Sequence, residues 1–284
     1  MTMVTRKWAK ILYKEQGVPD NYVDDSFLDE LKKNLHTRTY EYWNVVRETG
    51  VVTQQLSSVC LFVVAHIFML KERLSPSFLL CVGGLLTVCG YPVFRWLERP
   101  DNNAKVQRSV LDDLRSSCIF LTFSFGMSPI LKTLTDSIST DTIHAMTVFM
   151  LLGNLIFYDY GTTKVVASQH LSLNASIFAA VCLASRLPTT LHAFATVILA
   201  MQLFALWPTL RKRLKKEVPK TQPIMTWVSA GIAFIALYSV RVVPAIAFGL
   251  AHLFITYLCP LWLIKLQPYK NNIHGPWDEA IIHH

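Results

Sequence analysis

Residues 187–210 read LPTTLHAFATVILAMQLFALWPTL, 24 residues without an Asp, Glu, Lys or Arg. An α-helix rises 1.5 Å per residue, so roughly 20 apolar residues cross a bilayer core of about 30 Å, and this stretch is long enough to do so. Working outward from it, seven more uncharged stretches occupy 49–70, 74–94, 116–131, 142–158, 165–185, 221–240 and 242–264. Eight such runs have no use in a domain surrounded by water. Composition agrees, with 52% of residues hydrophobic and 16% charged, against roughly 25% charged in a soluble chain. The sequence predicts an all-α membrane protein, a polytopic bundle of about eight transmembrane helices over 49–264. The stretch 49–70 follows a 48-residue segment rich in charged residues, so it reads as a retained first span rather than a cleaved leader.

A net charge of +8 suggests nucleic acid only until its distribution is examined. Numbered from the N-terminus, the odd segments between runs hold 22 of the 27 Lys and Arg residues and the even ones hold 5. Basic residues resist translocation, so this bias puts residues 1–48, the Arg211–Lys220 cluster and the tail 265–284 in the cytosol. Runs 116–131 and 142–158 are the weak members, 16 and 17 residues long. They cross as a pair or re-enter as a pair, since losing just one would destroy the charge bias.

Within residues 1–48, Asp25 or Ser26 can cap a helix with Asp29 and Glu30 in its first turn and Lys32 and Lys33 beyond, the order the helix dipole favours. Phe27, Leu28, Leu31 and Leu35 then share a face, and Tyr40, Tyr42 and Trp43 follow at the membrane boundary. This predicts a cytosolic interfacial helix, a face that a partner helix could equally use.

The motifs of soluble catalysis are missing. Neither G-x-G-x-x-G nor G-x-x-x-x-G-K-[ST] occurs, nor H-E-x-x-H, G-x-S-x-G or a D-x-D pair, and the six cysteines lie inside apolar runs without metal-ligand spacing. The expectation is no metal, no cofactor, no nucleic acid and no catalytic residue. Intramembrane polar residues are the default place to look for function: His66, His192, His252, Gln54, Gln55, Asn154, Asn174 and Gln202. No carboxylate lies in the runs to pair with a histidine as a proton relay, so interhelical hydrogen bonding is the expected role. Asn174-Ala175-Ser176 is a formal glycosylation sequon, but mid-span it should stay unmodified.

Several stretches resemble the C subunit of phosphatidylinositol N-acetylglucosaminyltransferase, the PIG-C family. They are Pro19-Asp20-Asn21-Tyr22-Val23-Asp24, Ser128-Pro129-Ile130-Leu131-Lys132-Thr133, Phe157-Tyr158-Asp159-Tyr160-Gly161, Cys182-Leu183-Ala184-Ser185-Arg186-Leu187-Pro188, Phe204-Ala205-Leu206-Trp207-Pro208 and Asn272-Ile273-His274-Gly275-Pro276-Trp277-Asp278-Glu279-Ala280. Their order and spacing make the resemblance specific over nearly the whole chain. It implies an endoplasmic reticulum complex that transfers N-acetylglucosamine from UDP-N-acetylglucosamine to phosphatidylinositol on the cytosolic face, the first step of glycosylphosphatidylinositol-anchor synthesis. It also implies that a separate catalytic glycosyltransferase subunit does the sugar-nucleotide chemistry, leaving this chain a scaffold that could present the lipid.

An anionic headgroup needs cytosolic donors at the membrane surface. The candidates for headgroup or partner contact are Lys164, Arg211, Lys212 and Arg213, with Tyr158 and Asp159, and His274 and Trp277 in the tail. There Gly275-Pro276 forces a turn beside the large Trp277 surface, so the tail is expected to pack on the chain's own cytosolic surface or on a partner subunit. The competing classes are a lipid transporter or flippase and a stand-alone membrane transferase. A transporter predicts an internal repeat with interrupted helices in both halves, yet Gly83-Gly84 in the second run has no counterpart in the sixth.

Overall fold

A computed structural model of the protein describes residues 40–97, 109–135, 137–161 and 169–269, together with the backbone of 32–33 and 273–274. Its helices are α1 (Tyr42–Leu70), α2 (Pro76–Trp96), α3 (Val110–Thr133), α4 (Thr140–Phe157), α5 (Gln169–Ala184), α6 (Thr190–Glu217), α7 (Thr221–Val240) and α8 (Val242–Tyr269). All but α5 are long and apolar enough to cross a membrane. The protein is an all-α polytopic membrane protein.

Each uncharged run of the sequence carries one of these helices, but the short member is α5, with 16 residues, rather than the third or fourth run. Helix α3 reaches 24 residues because its first turn takes in Asp112 and Asp113, acids that suit the positive end of a helix dipole. Ser109 caps it through the Leu111 amide (3.3 Å), and Ser139 caps α4 through the Thr142 amide (3.3 Å). An uncharged run therefore understates a helix whose end is charged and capped.

The chain divides into two compact units. In the larger, Trp43–Pro260, α1 lies between two clusters of packed side chains. On one side Val59 and Phe62 meet Leu151 of α4, Ala179 and Leu183 of α5, and Phe204 of α6. On the other, Val64 meets Ala230 and Ala233 of α7 with Ala245 and Phe248 of α8. Helices α6 and α8 each contain one wide turn, Gln202–Leu206 and Phe254–Leu258. Pro208 and Pro260 explain both, since a proline clashes with the carbonyl four residues back and a π-turn opens the ladder there.

At the end of the bundle where α3 and α5 finish, two basic residues are spent on backbone. Arg186 Nη2 donates to the carbonyls of Thr135 (2.8 Å) and Ile138 (2.5 Å), and Lys132 Nζ donates to that of Pro188 (2.7 Å). Carbonyls left open by chain reversal are thereby closed.

The smaller unit comprises Met1–Tyr42 and Leu261–His284. In it β1 (Lys32–Lys33) pairs antiparallel with β2 (Ile273–His274), Lys32 opposite His274. This corrects the expected interfacial helix at those two positions: backbone hydrogen bonds to a second strand replace those of a helix. The rest of that expected helix lies outside the described residues.

Candidate functional site

Helix α6 does not stop where its apolar run stops; it continues through Trp-Pro-Thr-Leu into Arg211-Lys212-Arg213-Leu214-Lys215-Lys216. Cations are favoured at the negative end of a helix dipole, which allows the charged sequence to stay helical. Successive residues turn by about 100°, so the three leading cations take different surroundings.

Arg211 turns inward and is 4% exposed. Its Nη2 donates to Gln55 Oε1 of α1 at 2.6 Å, and its guanidinium lies 5.1 Å from the ring centre of Tyr158. Among the described residues Nε and Nη1 are buried without a hydrogen-bond partner, as is the Tyr158 hydroxyl. Lys212 lies over the same ring at 5.5 Å and pairs with Asp159 Oδ2 at 3.0 Å. Lys215, one turn beyond Arg211, pairs with Glu48 of α1. Arg213 points elsewhere, with its guanidinium 4.2 Å from the ring centre of Phe94 in α2.

Gln55 is held in turn. Its Nε2 donates to Asn154 Oδ1 of α4 (2.8 Å), and Asn154 Nδ2 donates to the carbonyl and hydroxyl of Ser172 in α5 (2.9 Å each). Because Nε2 is committed to an acceptor, Oε1 must face Arg211. Beside it Gln54 donates to Thr226 Oγ1 (2.8 Å) and to the Gln222 carbonyl of α7, and Gln222 Nε2 donates to the Arg47 carbonyl (2.7 Å). The expected interhelical role holds for Gln54, Gln55 and Asn154. His66 and His252, by contrast, have both ring nitrogens buried with no partner among the described residues.

The segment after α4 is shaped by Gly161, whose φ of +90° suits glycine. Its amide donates to Asp159 Oδ1 at 2.9 Å, and the Tyr160 hydroxyl closes the Leu155 carbonyl at 2.6 Å. The Gly161 amide and Lys212 hold the Asp159 carboxyl below the usual range. Burial pushes the Tyr160 phenol up to about 12 against the opposing charge of Arg211.

A cavity of about 140 Å³ opens among these parts, bordered by Val51 of α1, Asp159, Arg211, Lys215 and Gln222. All its walls come from one end of the bundle, where α1 and α7 begin and α4 and α6 finish.

The family model described as phosphatidylinositol N-acetylglucosaminyltransferase (GPI2) matches residues 8–278. The chain belongs to this family. It is 52% identical over 276 residues to the C subunit of phosphatidylinositol N-acetylglucosaminyltransferase of Mus musculus, and 51% identical to that of Homo sapiens, covering 97% of this chain and 93% of each relative. The GPI2 subunit of Schizosaccharomyces pombe is 35% identical over 283 residues, 97% of this chain and 87% of the relative. No solved structure matches.

Of the family-like stretches, Phe157 to Gly161 contributes Asp159, Tyr160 and Gly161 to the cavity wall, and Ser128 bonds the Thr190 carbonyl, joining α3 to the start of α6. Four candidates from the sequence, Tyr158, Asp159, Arg211 and Lys212, come together here, while Arg213 is turned away. The His274 backbone pairs with Lys32 in the smaller unit, and Lys164 and Trp277 lie outside the described residues. The sequence marks Gln54 and Gln55 only as intramembrane amides and does not single out Glu48, Tyr160 or Gln222. Gln55 stands 156 positions from Arg211, and no local spacing announces such a partner. Among the described residues no group of three or more His, Cys, Asp or Glu side chains could hold a metal ion.

Proposed function

We propose that this chain is the membrane subunit, without catalytic residues of its own, of the complex that transfers N-acetylglucosamine from UDP-N-acetylglucosamine to phosphatidylinositol, the first step of glycosylphosphatidylinositol-anchor synthesis. The observation behind this reading is the 51–52% identity to the mouse and human C subunits over 97% of the chain. Helices occupy nearly all of the described residues and leave little room for a nucleotide-binding fold, which supports assigning the sugar chemistry to a separate glycosyltransferase subunit. The complex would sit in the endoplasmic reticulum, with both termini and the Arg211 end of the bundle facing the cytosol, as the distribution of basic residues favours.

In this reading the Arg211 end presents phosphatidylinositol, with Arg211, Lys212, Tyr158 and Asp159 as headgroup contacts and Lys164 as a further one. Arg213 and the tail bearing His274 and Trp277 would meet partner subunits. Affinity capture of the tagged chain from mild detergent tests the assignment: a glycosyltransferase subunit should co-purify together with transferase activity. Capture of the chain alone, with activity left in the depleted fraction, would refute it. Tags at Met1, within Arg211–Lys220 and after His284 should be digested by protease in sealed microsomes, and a tag beside Arg241 should be protected. Protection of the Arg211–Lys220 tag would reverse the orientation.

A further inference from the structure

We infer that Arg211 is the anchor of a phosphate-binding subsite, taking the phosphodiester of an inositol phospholipid from the membrane surface, and that Gln55 is its positioning residue. The inference rests on the reading of the Arg211 end as the lipid-presenting end.

Charge balance points to an absent anion. A buried guanidinium ordinarily has a carboxylate or another anion against it, because an uncompensated buried charge is expensive. Arg211 is 4% exposed and, among the described residues, has one neutral acceptor, Gln55 Oε1, and one aromatic face. The nearby carboxylates are committed elsewhere, Asp159 to Lys212 and the Gly161 amide, Glu48 to Lys215. Nε and Nη1 keep their protons unspent. A phosphodiester brings one negative charge and two unesterified oxygens, the acceptor chemistry that guanidinium binds best.

Size and access narrow the ligand. About 140 Å³ is roughly ten times the ~10–15 Å³ that admits one water, yet well below the roughly 300 Å³ at which whole-ligand pockets begin. The cavity therefore suits the phosphate end of a larger molecule and not an entire sugar nucleotide. Lys212 and Asp159 are each about one-third exposed (35% and 34%), so their ion pair is weak and easily exchanged. Lys212 leaves Asp159 and joins the phosphate as the oxyanion reaches the guanidinium.

The support behind Arg211 separates binding from mere topology. Ser172, Asn154 and Gln55 form a chain of bonds across α5, α4 and α1 that ends on Nη2. A cation needed only to determine topology gains nothing from such support. A binding group does, because each held rotamer lowers the entropy lost on ligation.

The test uses the purified complex in nanodiscs, with Met225→Cys in the cavity wall and maleimide labelling of the introduced thiol followed by peptide mass spectrometry. Adding phosphatidylinositol to a phosphatidylcholine disc should slow labelling about tenfold, as roughly 90% occupancy of the cavity would. Inorganic phosphate and UDP, added to pure phosphatidylcholine discs, should leave it unchanged. Arg211→Gln should abolish the protection. So should Gln55→Glu, which supplies Arg211 with an internal anion of the same shape. Lys220→Gln, an exposed cation of the same basic cluster that does not border the cavity, should keep the protection. Protection by inorganic phosphate or UDP alone would overturn the lipid assignment. Absence of protection in the chain with native Arg211 and Gln55 would overturn the inositol-phospholipid subsite, whether or not the variants fold. Retention of the other subunits, measured on the same preparations, reports separately on the subunit assignment.

Discussion

Helices α1 and α2 are both apolar enough to span a membrane, yet α1 buries twelve residues and α2 buries only Gly83. The difference lies in polarity. The buried set of α1 includes Thr53, Gln54, Gln55, Ser57 and Ser58, whereas α2 exposes Leu85, Leu86 and Val88. Lipid tails are as apolar as leucine, so leucines gain nothing by turning inward, while side-chain amides and hydroxyls must find partners among other helices. In this bundle the polar residues, not the most hydrophobic ones, mark the centre.

The sharpest way to break this contrast is Gln55→Leu. It would leave Arg211 without its acceptor and Asn154 without its donor, and leaving a buried charged donor unsatisfied costs about 3 kcal/mol or more. The unfolding free energy of the purified complex should fall by that much. Next comes Gly50→Ala in α1, whose Cβ would meet Thr226 Oγ1 at 2.7 Å. Thr226 is a stiff β-branched side chain already bonded to Gln54, so overpacking should cost roughly 1–3 kcal/mol. Gly84→Ala in α2 has no heavy atom of the described residues within 4 Å of its Cβ and should leave the melting temperature unchanged. Equal losses from the two glycine variants would contradict the central placement of α1.

The smallest effect belongs to the exposed rim. Because the Gly161 amide and Lys212 lower the folded pKa of Asp159, its contribution to stability is fully present above the unfolded value of about 3.9 and is lost as pH falls through the folded value. With both partners about one-third exposed, Asp159→Asn should cost less than about 1 kcal/mol at pH 7. The gap from the unsubstituted chain should close below about pH 4. A gap that widens in acid would show that Asp159 is not held as a carboxylate.

The order of apolar helices is legible in the sequence because charge-free runs of bilayer length have one structural meaning. The ends are less so: Asp112 and Asp113 interrupt a run but begin α3, and Pro208 and Pro260 give no hint of wide turns until the ladder is seen around them. For the site, the basic cluster of α6 and the Tyr158-Asp159 pair stand out by charge and position. Which of three consecutive cations turns inward is not legible, because Arg211 is selected by Gln55 and Tyr158 on other helices. Gln222 is equally hidden, since its partner is a backbone carbonyl 175 residues away.

If this chain is an indispensable part of the transferase and not its catalyst, activity must depend on it without residing in it. Transfer of labelled N-acetylglucosamine from UDP-N-acetylglucosamine to phosphatidylinositol decides the matter, measured with the chain purified to homogeneity, with the remaining subunits, and with both combined. No transfer by either part alone, and transfer by the combination, is the expected result. Transfer by the isolated chain, or full activity of the remaining subunits without it, would contradict this role.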